Sequence, residues 1–310
     1  MNWNGVMPAI TTCFDMNLKV DHGFIARHCR WLIENGCTGI VALGSLGEGA
    51  TLEFAEKLEI LETCVHAAES RAPVVAAISS LRTSEAVELA KAAAGRGCQG
   101  AMILPPYVYH GDWQEMKAHV TAIFRASNLS CMLYNNPVSY GTDFLPEQIR
   151  ELAEENPNLH AVKESSTDVR RVTAIRALMG DRLAVLVGVD DAIVEGIYAG
   201  ATGWIAGLVN ALPKESVDLF DYAMRGELEK TFELYRWFLP LLRMDTVPKF
   251  VQLIKLVQQE VGMGNARVRP PRMELAGEEL EQARAIIRQA LETRPKPQAA
   301  AAKRESAPRG

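Results

Sequence analysis

Short runs of apolar and β-branched residues alternate along most of the chain with longer segments in which apolar residues recur at a helical spacing. Such alternation is typical of βαβ units, which build a parallel sheet buried on both faces. The runs predict strands at Val6–Thr11, Gly39–Leu43, Val74–Ile78, Ala101–Leu104, Cys131–Tyr134, His160–Lys163, Ala184–Val187 and Gly203–Ala206. The longer segments predict helices at Asp21–Asn35, Phe54–Ser70, Thr83–Gly95, Trp113–Ala126, Pro146–Asn156, Asp168–Met179 and Asp191–Ala199.

Eight such units fit a closed (β/α)8 barrel, the TIM barrel of the α/β class. A doubly wound open sheet is the rival architecture, and its first strand is often followed by a glycine-rich dinucleotide motif. The segment after the first predicted strand reads TTCFD and lacks that motif. We therefore expect a (β/α)8 barrel over residues 1–213.

The pattern changes after the eighth predicted strand. Residues 214–293 contain no convincing strand, and helical spacing recurs over Val217–Met224, Leu228–Leu242, Pro248–Val261 and Glu278–Leu291. We expect this part to form a helical appendage to the barrel. Residues 294–310 are rich in alanine and proline without apolar periodicity, so they are predicted to be a disordered tail.

Composition and charge exclude several classes of partner. The 310 residues are 48% hydrophobic and 23% charged, with a formal net charge of −5. Nucleic-acid binding favours basic surfaces, so we expect no nucleic-acid partner. The chain has no run of about 20 apolar residues and no signal peptide is recognisable, so we expect no membrane partner and a cytoplasmic location. Six scattered cysteines without a C-x-x-C pair predict buried free thiols, and the six histidines form no metal-binding pair, so no metal is expected.

The candidate chemistry lies at the ends of predicted strands, where (β/α)8 barrels carry their catalytic groups. Lys163 falls within an apolar strand, and a buried amine loses its proton easily and becomes a nucleophile toward carbonyls and imines. The alternative is a structural lysine paired with the neighbouring Glu164. Tyr134, at the end of the fifth predicted strand, is either a proton carrier or a packing residue.

A glycine-rich segment, Gly44–Gly49, follows the second predicted strand and reads GSLGEG. Glycines before a helix let backbone N–H groups converge on an anion such as a substrate carboxylate. A glycine-rich turn without a ligand is the alternative interpretation.

Taken together, GSLGEG, the Tyr-Asn-x-Pro run that starts at Tyr134 and the Lys-Glu-Ser-Ser run that starts at Lys163 resemble the dihydrodipicolinate synthase/N-acetylneuraminate lyase family of class I Schiff-base aldolases and lyases. The resemblance extends from about Trp3 to Leu291. It implies that Lys163 forms an imine with a 2-oxo acid or cyclic imine acid, so that no separate cofactor is needed. It further implies that Tyr134 shuttles protons, that Ser45 relays protons and holds the substrate carboxylate, and that the protein is a homotetramer. The substrate contacts that it implies are Gly44, Leu46, Gly47, Ser139, Ser165, Gly188, Asp190 and Ile205.

Three positions depart from the dihydrodipicolinate synthases of the family. Leu46 replaces the second of two adjacent hydroxyl residues, and Val108 replaces a tyrosine that those enzymes donate across a dimer interface. Ser139 stands where they have an arginine that clamps the distal carboxylate of the second substrate. A serine cannot make the bidentate contact of an arginine, so lysine-biosynthetic synthase activity is not expected.

Other segments resemble the 1-pyrroline-4-hydroxy-2-carboxylate deaminases, namely residues 163–171, 188–191, 203–207, 234–242 and 268–272. This resemblance implies ring opening on Lys163, loss of the C4 hydroxyl and release of ammonia, with 2-oxoglutarate semialdehyde as product. A 2-keto-3-deoxy sugar acid dehydratase, a pyruvate aldolase or a synthase-like enzyme is the alternative within the family. A non-catalytic scaffold or 2-oxo acid sensor is the alternative outside enzymes. Asp190 and Asp191 stand where the sugar-acid lyases of the family bind substrate hydroxyls, and for Asp191 an acidic helix N-terminus is the alternative.

Overall fold

The computed structural model describes residues 1–295 as a barrel of eight parallel strands surrounded by helices. The strands are β1 Gly5–Pro8, β2 Ile40–Ala42, β3 Val74–Ile78, β4 Gly100–Ile103, β5 Ser130–Asn135, β6 Leu159–Glu164, β7 Ala184–Val187 and β8 Gly203–Ala206. Neighbours in sequence pair along the sheet, and β1 also pairs with β8. A bridge between Ala9 and Val41 joins β1 to β2, so the predicted (β/α)8 barrel is confirmed.

Twelve α-helices accompany these strands within the described residues. They are α1 His22–Glu34, α2 Phe54–Ala68, α3 Thr83–Gly95, α4 Trp113–Phe124, α5 Pro137–Tyr140, α6 Pro146–Glu155, α7 Arg170–Met179, α8 Ile193–Tyr198, α9 Pro213–Met224, α10 Leu228–Leu242, α11 Phe250–Glu260 and α12 Gly277–Glu292. The short helix α5 was not predicted. No helix in residues 1–295 has both the length and the apolar character needed to cross a membrane.

The strands are apolar because the helices cover their outer face while their side chains fill the barrel interior. Every residue of β3, β4, β5 and β8 is buried. This double burial is the physical reason for continuous apolar runs in place of the alternating pattern of a half-exposed sheet. A polar side chain inside such a barrel is therefore unusual and marks a candidate functional residue.

The pairing of β5 with β6 is irregular at one point. Cys131 pairs with Leu159, but the next residue, Met132, pairs with Ala161, so His160 is an extra residue in β6. This β-bulge shifts the register by one position. From there on the ladder is regular and brings Tyr134 opposite Lys163.

The C-terminal helices are attached to one side of the barrel. Helix α9 packs against α8 and β1, and thus continues the ring of barrel helices, while α10 packs against α9 and α12. The segment between α10 and α11 passes over the end of β8. The predicted tail, residues 294–310, lies outside the described residues from 296 onward; Arg294 is described and donates to Glu215 through Nε at 2.5 Å.

Candidate active site

A cavity of about 550 Å3 opens at the C-terminal ends of the barrel strands. It collects residues from loops after β2, β5, β6, β7 and β8, as expected of an active site in this fold. Of the residues predicted from the sequence, those that line it are Ser45, Tyr134, Lys163, Gly44, Leu46, Ser139, Ser165, Gly188 and Ile205. Gly47 and Asp190 are not among the lining residues.

Lys163 projects from β6 into the cavity and is only 7% exposed. Within residues 1–295 its amine makes neither a hydrogen bond nor an ion pair, and its Nζ lies 4.1 Å from the centroid of the Tyr134 ring. Burial lowers the pKa of Lys163, and negative charge on Tyr140, Asp245 and Asp190 opposes that shift in part. The lowered pKa increases the fraction of neutral amine, which is the form that attacks a carbonyl or imine carbon.

Glu164 does not pair with Lys163, although the sequence left that possibility open. Successive residues of a strand point to opposite faces, so the Glu164 side chain leaves the barrel interior. Its carboxylate accepts a hydrogen bond from the Asn135 side-chain amide at 3.1 Å and from the backbone N–H of Ser166 at 2.6 Å. The carboxylate is thus occupied elsewhere, and the amine is left free in the cavity.

Gly188 makes room for the lysine side chain. A Cβ atom at this position would lie 2.4 Å from Cε of Lys163 and 2.0 Å from Oγ of Ser165. Both distances are far below van der Waals contact, so a larger residue would force the lysine and serine side chains to move. The buried Oγ of Ser165 has no hydrogen-bond partner among residues 1–295, which leaves it available to a ligand.

Tyr134 presents a protonated phenol beside the amine. Burial raises the pKa of Tyr134, and the hydrogen bond from the Asn136 side-chain amide to its hydroxyl, at 3.0 Å, opposes the rise. Asn136 is in turn the N-cap of α5, because its Oδ1 accepts the N–H of Ser139 at 3.0 Å. The short helix therefore fixes both the tyrosine hydroxyl and the chain that follows it.

Tyr140 is a site residue that the sequence analysis missed. Helix α5 carries it back over the cavity, where its hydroxyl is hydrogen-bonded to that of Ser45. Its ring meets the Tyr134 ring edge to face, with centroids 5.7 Å apart. Burial raises the pKa of Tyr140 as well. The signal was present as Asn136-Pro137, since asparagine followed by proline favours the N-cap and first position of a helix.

The loop after β2 offers backbone donors to an anion. The N–H groups of Ser45 and Leu46 donate to no acceptor within residues 1–295, and both residues line the cavity. The loop is tightly folded: a Cβ on Gly49 would lie 2.1 Å from the carbonyl oxygen of Leu43. A substrate carboxylate is the ligand such free N–H groups suit.

Glu48 anchors this loop and does not line the cavity. Its fully buried carboxylate accepts from Lys255 Nζ at 2.5 Å and from the backbone N–H of Arg269 at 3.0 Å. Gly47 is likewise structural, because its carbonyl oxygen accepts the hydroxyl of Thr12 at 2.6 Å. The buried ion pair holds the loop after β2 against α11.

Asp190 is fully buried beneath the loop that follows β8. Its carboxylate accepts from the Trp204 indole at 2.9 Å, from the N–H of Gly207 at 3.1 Å and from the N–H of Leu208 at 2.8 Å. Burial raises the pKa of Asp190 to about 6, and these hydrogen bonds oppose the rise. Its observed position supports the loop after β8, which differs from the predicted contact with substrate. Asp191 also lies outside the cavity lining, with Oδ2 3.7 Å from Arg243 Nε.

Two charged residues of the cavity wall come from the C-terminal part of the chain, where no strand-end rule applies. Asp245 lies between α10 and α11, and Arg272 follows α11. The Arg272 guanidinium is 3.9 Å from the Glu48 carboxylate, which already binds Lys255 and Arg269. Tyr107 also lines the cavity, with its ring centroid 6.2 Å from that of Tyr140.

The described residues offer few groups for metal-dependent or thiol chemistry. Residues 1–295 hold no group of three or more His, Cys, Asp or Glu side chains that could bind a metal ion. All six cysteines are buried free thiols. A buried, unpaired amine beside a tyrosine and a loop with free N–H groups, at the mouth of a (β/α)8 barrel, is the arrangement expected of a class I lyase, an enzyme that works through a lysine imine.

Comparison with known proteins gives the family. Residues 2–290 match the dihydrodipicolinate synthetase family. The chain is 31% identical over 276 residues to a 4-hydroxy-tetrahydrodipicolinate synthase of Methanocaldococcus jannaschii, covering 89% of this chain and 94% of that protein. The same name and identity hold for a protein of Bartonella quintana over 273 residues, or 88% and 92% of the two chains. The crystal structure of dihydrodipicolinate synthase from Aquifex aeolicus superposes with a TM-score of 0.89 at 25% identity, covering 93% and 98%. The chain belongs to the dihydrodipicolinate synthetase family.

Proposed function

We propose that this chain is a Schiff-base lyase that converts 1-pyrroline-4-hydroxy-2-carboxylate and water into 2-oxoglutarate semialdehyde and ammonia, a step of hydroxyproline catabolism. The observation that carries this choice is Ser139. It is exposed at the cavity, where an arginine would be needed to clamp the second carboxylate of a synthase substrate. The proposed substrate has a single carboxylate and needs no such clamp.

The first step belongs to Lys163. Its neutral amine adds to C2 of the cyclic imine, and the bond from C2 to the ring nitrogen breaks. The ring opens to a primary amine at C5 while C2 remains bound to Lys163 as a protonated imine. The lowered pKa of Lys163 supports this step because the amine must be unprotonated to attack.

The substrate carboxylate is assigned to the N–H groups of Ser45 and Leu46. Both are free donors of the loop after β2 that line the cavity, and Glu48 and Lys255 hold that loop in place. With the carboxylate there and C2 on Lys163, the substrate is held at two points. Holding it so directs its C3 and C4 atoms into the remainder of the cavity.

The proton transfers are assigned to the hydroxyl cluster of Tyr134, Tyr140 and Ser45. The protonated imine acidifies C3, so a proton leaves that carbon and an enamine forms. Tyr134 is adjacent to the amine, and Tyr140 lies between Tyr134 and Ser45. All of these groups come from one chain, so the expected homotetramer is a separate prediction, which light scattering on the purified protein tests.

The enamine then expels the C4 hydroxyl, and a proton shift from C5 turns the primary amine into an imine. Water hydrolyses the C5 imine to an aldehyde with release of ammonia, and a second water releases C2 from Lys163 as a ketone. One water is lost and two are consumed, so the overall reaction uses one. The lysine imine is the electron sink, and the proposal therefore includes no cofactor.

A synthase-like condensation is the second candidate. Two observations favour it, namely the names of the relatives and the Arg272 guanidinium in the cavity wall. Arg272 is the alternative clamp for a second carboxylate. In that reaction the enamine of pyruvate adds to an aldehyde that bears a carboxylate.

The two candidates are separated by one set of incubations with the full chain. Ammonia and semialdehyde released from 1-pyrroline-4-hydroxy-2-carboxylate, with Lys163→Met as the inactive control, support the deaminase. Condensation of pyruvate with a carboxylate-bearing aldehyde, without ammonia release from the pyrroline, overturns it in favour of the second candidate. Borohydride reduction with either substrate should add mass at Lys163, and an unmodified lysine rejects both.

A further inference from the structure

Asp245 is an acidic side chain of the cavity wall that the steps above do not use. It ends the short turn that follows α10, and the chain places it directly over the C-terminal end of β8. A Cβ atom on Gly207 would lie 2.0 Å from its Oδ1. The carboxyl group therefore occupies the space that the missing side chain of Gly207 leaves, and it is held at the edge of the cavity.

The carboxyl group has no partner of its own. Within residues 1–295 it makes no side-chain hydrogen bond and no ion pair, although the residue is half-buried. The neighbouring Asp190 differs in this respect, since donors from Trp204, Gly207 and Leu208 satisfy its oxygens. A half-buried carboxyl without partners that faces an open cavity is available to a ligand.

The charges around Asp245 favour its protonated form. Burial raises the pKa of Asp245 well above the usual range, and negative charge on Asp190 and Asp191 raises it further, whereas Lys163 lowers it. A raised pKa means that the carboxyl group keeps its proton to a higher pH than an exposed aspartate does. A carboxyl that keeps its proton is what general-acid catalysis requires.

The barrel places this acid across from the hydroxyl cluster. Tyr134 comes from β5 and Tyr140 from the helix after it, whereas Asp245 lies over β8, with β6 and β7 between the two strands. A substrate bound to Lys163 of β6 lies between these two walls. The tyrosines and Asp245 therefore line different parts of the cavity wall, with Lys163 on a strand between them.

We propose that Asp245 is the general acid that protonates the C4 hydroxyl as it leaves. The inference rests on the proposed deamination. The enamine electrons form the C3–C4 double bond, the C4–O bond breaks, and the departing oxygen takes the Asp245 proton and leaves as water. The resulting carboxylate faces the positive imine on Lys163, and it recovers its proton when C5 is deprotonated in the following step.

The test compares two leaving groups in the full chain. Asp245→Asn keeps the shape of the side chain, so we expect turnover of the 4-hydroxy substrate to fall by about 100-fold or more. The 4-chloro analogue loses chloride, which needs no proton, and its turnover should stay within a few-fold of the unaltered chain. Borohydride trapping at Lys163 and exchange of C3 protons with deuterium oxide should persist, because both steps precede the elimination.

Two further variants complete the design. Gly207→Ala should displace the Asp245 carboxyl and reproduce the selective loss with the 4-hydroxy substrate, which keeps the test valid if Asp245→Asn folds poorly. Asp181→Asn removes a carboxyl that is 95% exposed and should change neither substrate.

The outcomes separate the two proposals. Equal losses with both leaving groups, or no loss with the 4-hydroxy substrate, overturn the role of Asp245 while ammonia release by the unaltered chain upholds the deaminase. If the unaltered chain releases no ammonia, the proposed function fails and the role of Asp245 fails with it.

Discussion

Tyr134 and Lys163 occupy paired positions on the neighbouring strands β5 and β6, and the lysine Nζ lies 4.1 Å from the centroid of the tyrosine ring. The ring is thus placed to stabilise a positive charge at that nitrogen through its π face, whether the charge belongs to the ammonium or to the protonated imine. The hydroxyl of the same side chain is a separate group, bound to Asn136. One tyrosine therefore combines two functions that substitution can separate.

Tyr134→Phe keeps the ring and removes the hydroxyl. We expect borohydride trapping at Lys163 to remain within a few-fold of the unaltered chain, whereas exchange of the C3 proton falls by about 100-fold. Mass spectrometry and deuterium incorporation measure the two quantities. A variant that loses both in equal measure would contradict the separation.

Tyr140→Phe removes the hydroxyl that is bonded to Ser45. Because Tyr140 lies between Ser45 and Tyr134, we expect proton exchange to fall by about 10- to 100-fold with little change in imine formation. Tyr109→Phe is the matched control, since Tyr109 is exposed and its hydroxyl donates to Glu115 at 2.7 Å. Equal effects of the two variants would show that Tyr140 has no special role.

Gly188→Ala should remove the lysine from its position. The added methyl would lie 2.4 Å from Lys163 Cε, so the amine has to rotate away from the tyrosine ring. We expect trapping by borohydride to fall by about 100-fold with an unchanged far-ultraviolet circular dichroism spectrum. Gly95→Ala, at a helical glycine with nothing within 4 Å of an added Cβ, provides the control and should leave trapping intact.

Lys163→Met should abolish activity and stabilise the fold. The folded-state pKa of Lys163 lies below its unfolded value, so the unfolded chain binds more protons and the buried amine costs stability at neutral pH. A gain of about 1 kcal/mol corresponds to about 2–4 °C in Tm for a domain of this size. The destabilisation by the buried lysine decreases as the pH rises toward about 10.4, the pKa of a lysine in the unfolded chain. The difference in Tm between the two proteins should decrease over the same range. A difference that grows with pH would show the opposite linkage.

Lys255→Met tests the ion pair that anchors the loop after β2. It leaves the Glu48 carboxylate buried without its cation, so we expect a loss of about 3–5 kcal/mol in the free energy of unfolding. Denaturant titration measures it. The double variant Lys255→Met/Glu48→Gln should recover part of that loss, because the uncompensated charge is gone, and no recovery would mean that packing accounts for the whole effect.

The strands were predictable because each is an apolar run buried on both faces. Val74–Ile78, Ala184–Val187 and Gly203–Ala206 have the predicted bounds, and the others differ by one to three residues at their ends. Lys163, Tyr134 and Ser45 were predictable because polar residues at strand ends meet at one mouth of the barrel. Whether those three residues act as proposed is a prediction that the variants above test.

The remainder of the site depends on long-range packing. Asp245 and Arg272 reach the cavity only because the C-terminal helices fold against the barrel. No local sequence pattern predicts that packing. Helix α5 is too short to produce a periodicity, so Tyr140 was overlooked. Asp190 follows a strand end in sequence, but its carboxylate turns under the loop after β8 to satisfy backbone donors.

The extra residue in β6 has a consequence for how the lysine came to face inward. If the pairing of Cys131 with Leu159 continued without the bulge at His160, Lys163 would stand opposite Asn135, whose side chain points out of the barrel, and the pleat would turn the amine into the helical layer. The single added residue brings the inward-facing positions of β6 opposite those of β5. It lies three residues before Lys163, about 10 Å along the backbone, near the opposite end of the strand. The orientation of the nucleophile thus depends on a bulge at the floor of the barrel, which absorbs one residue of β6 before the ladder reaches the cavity.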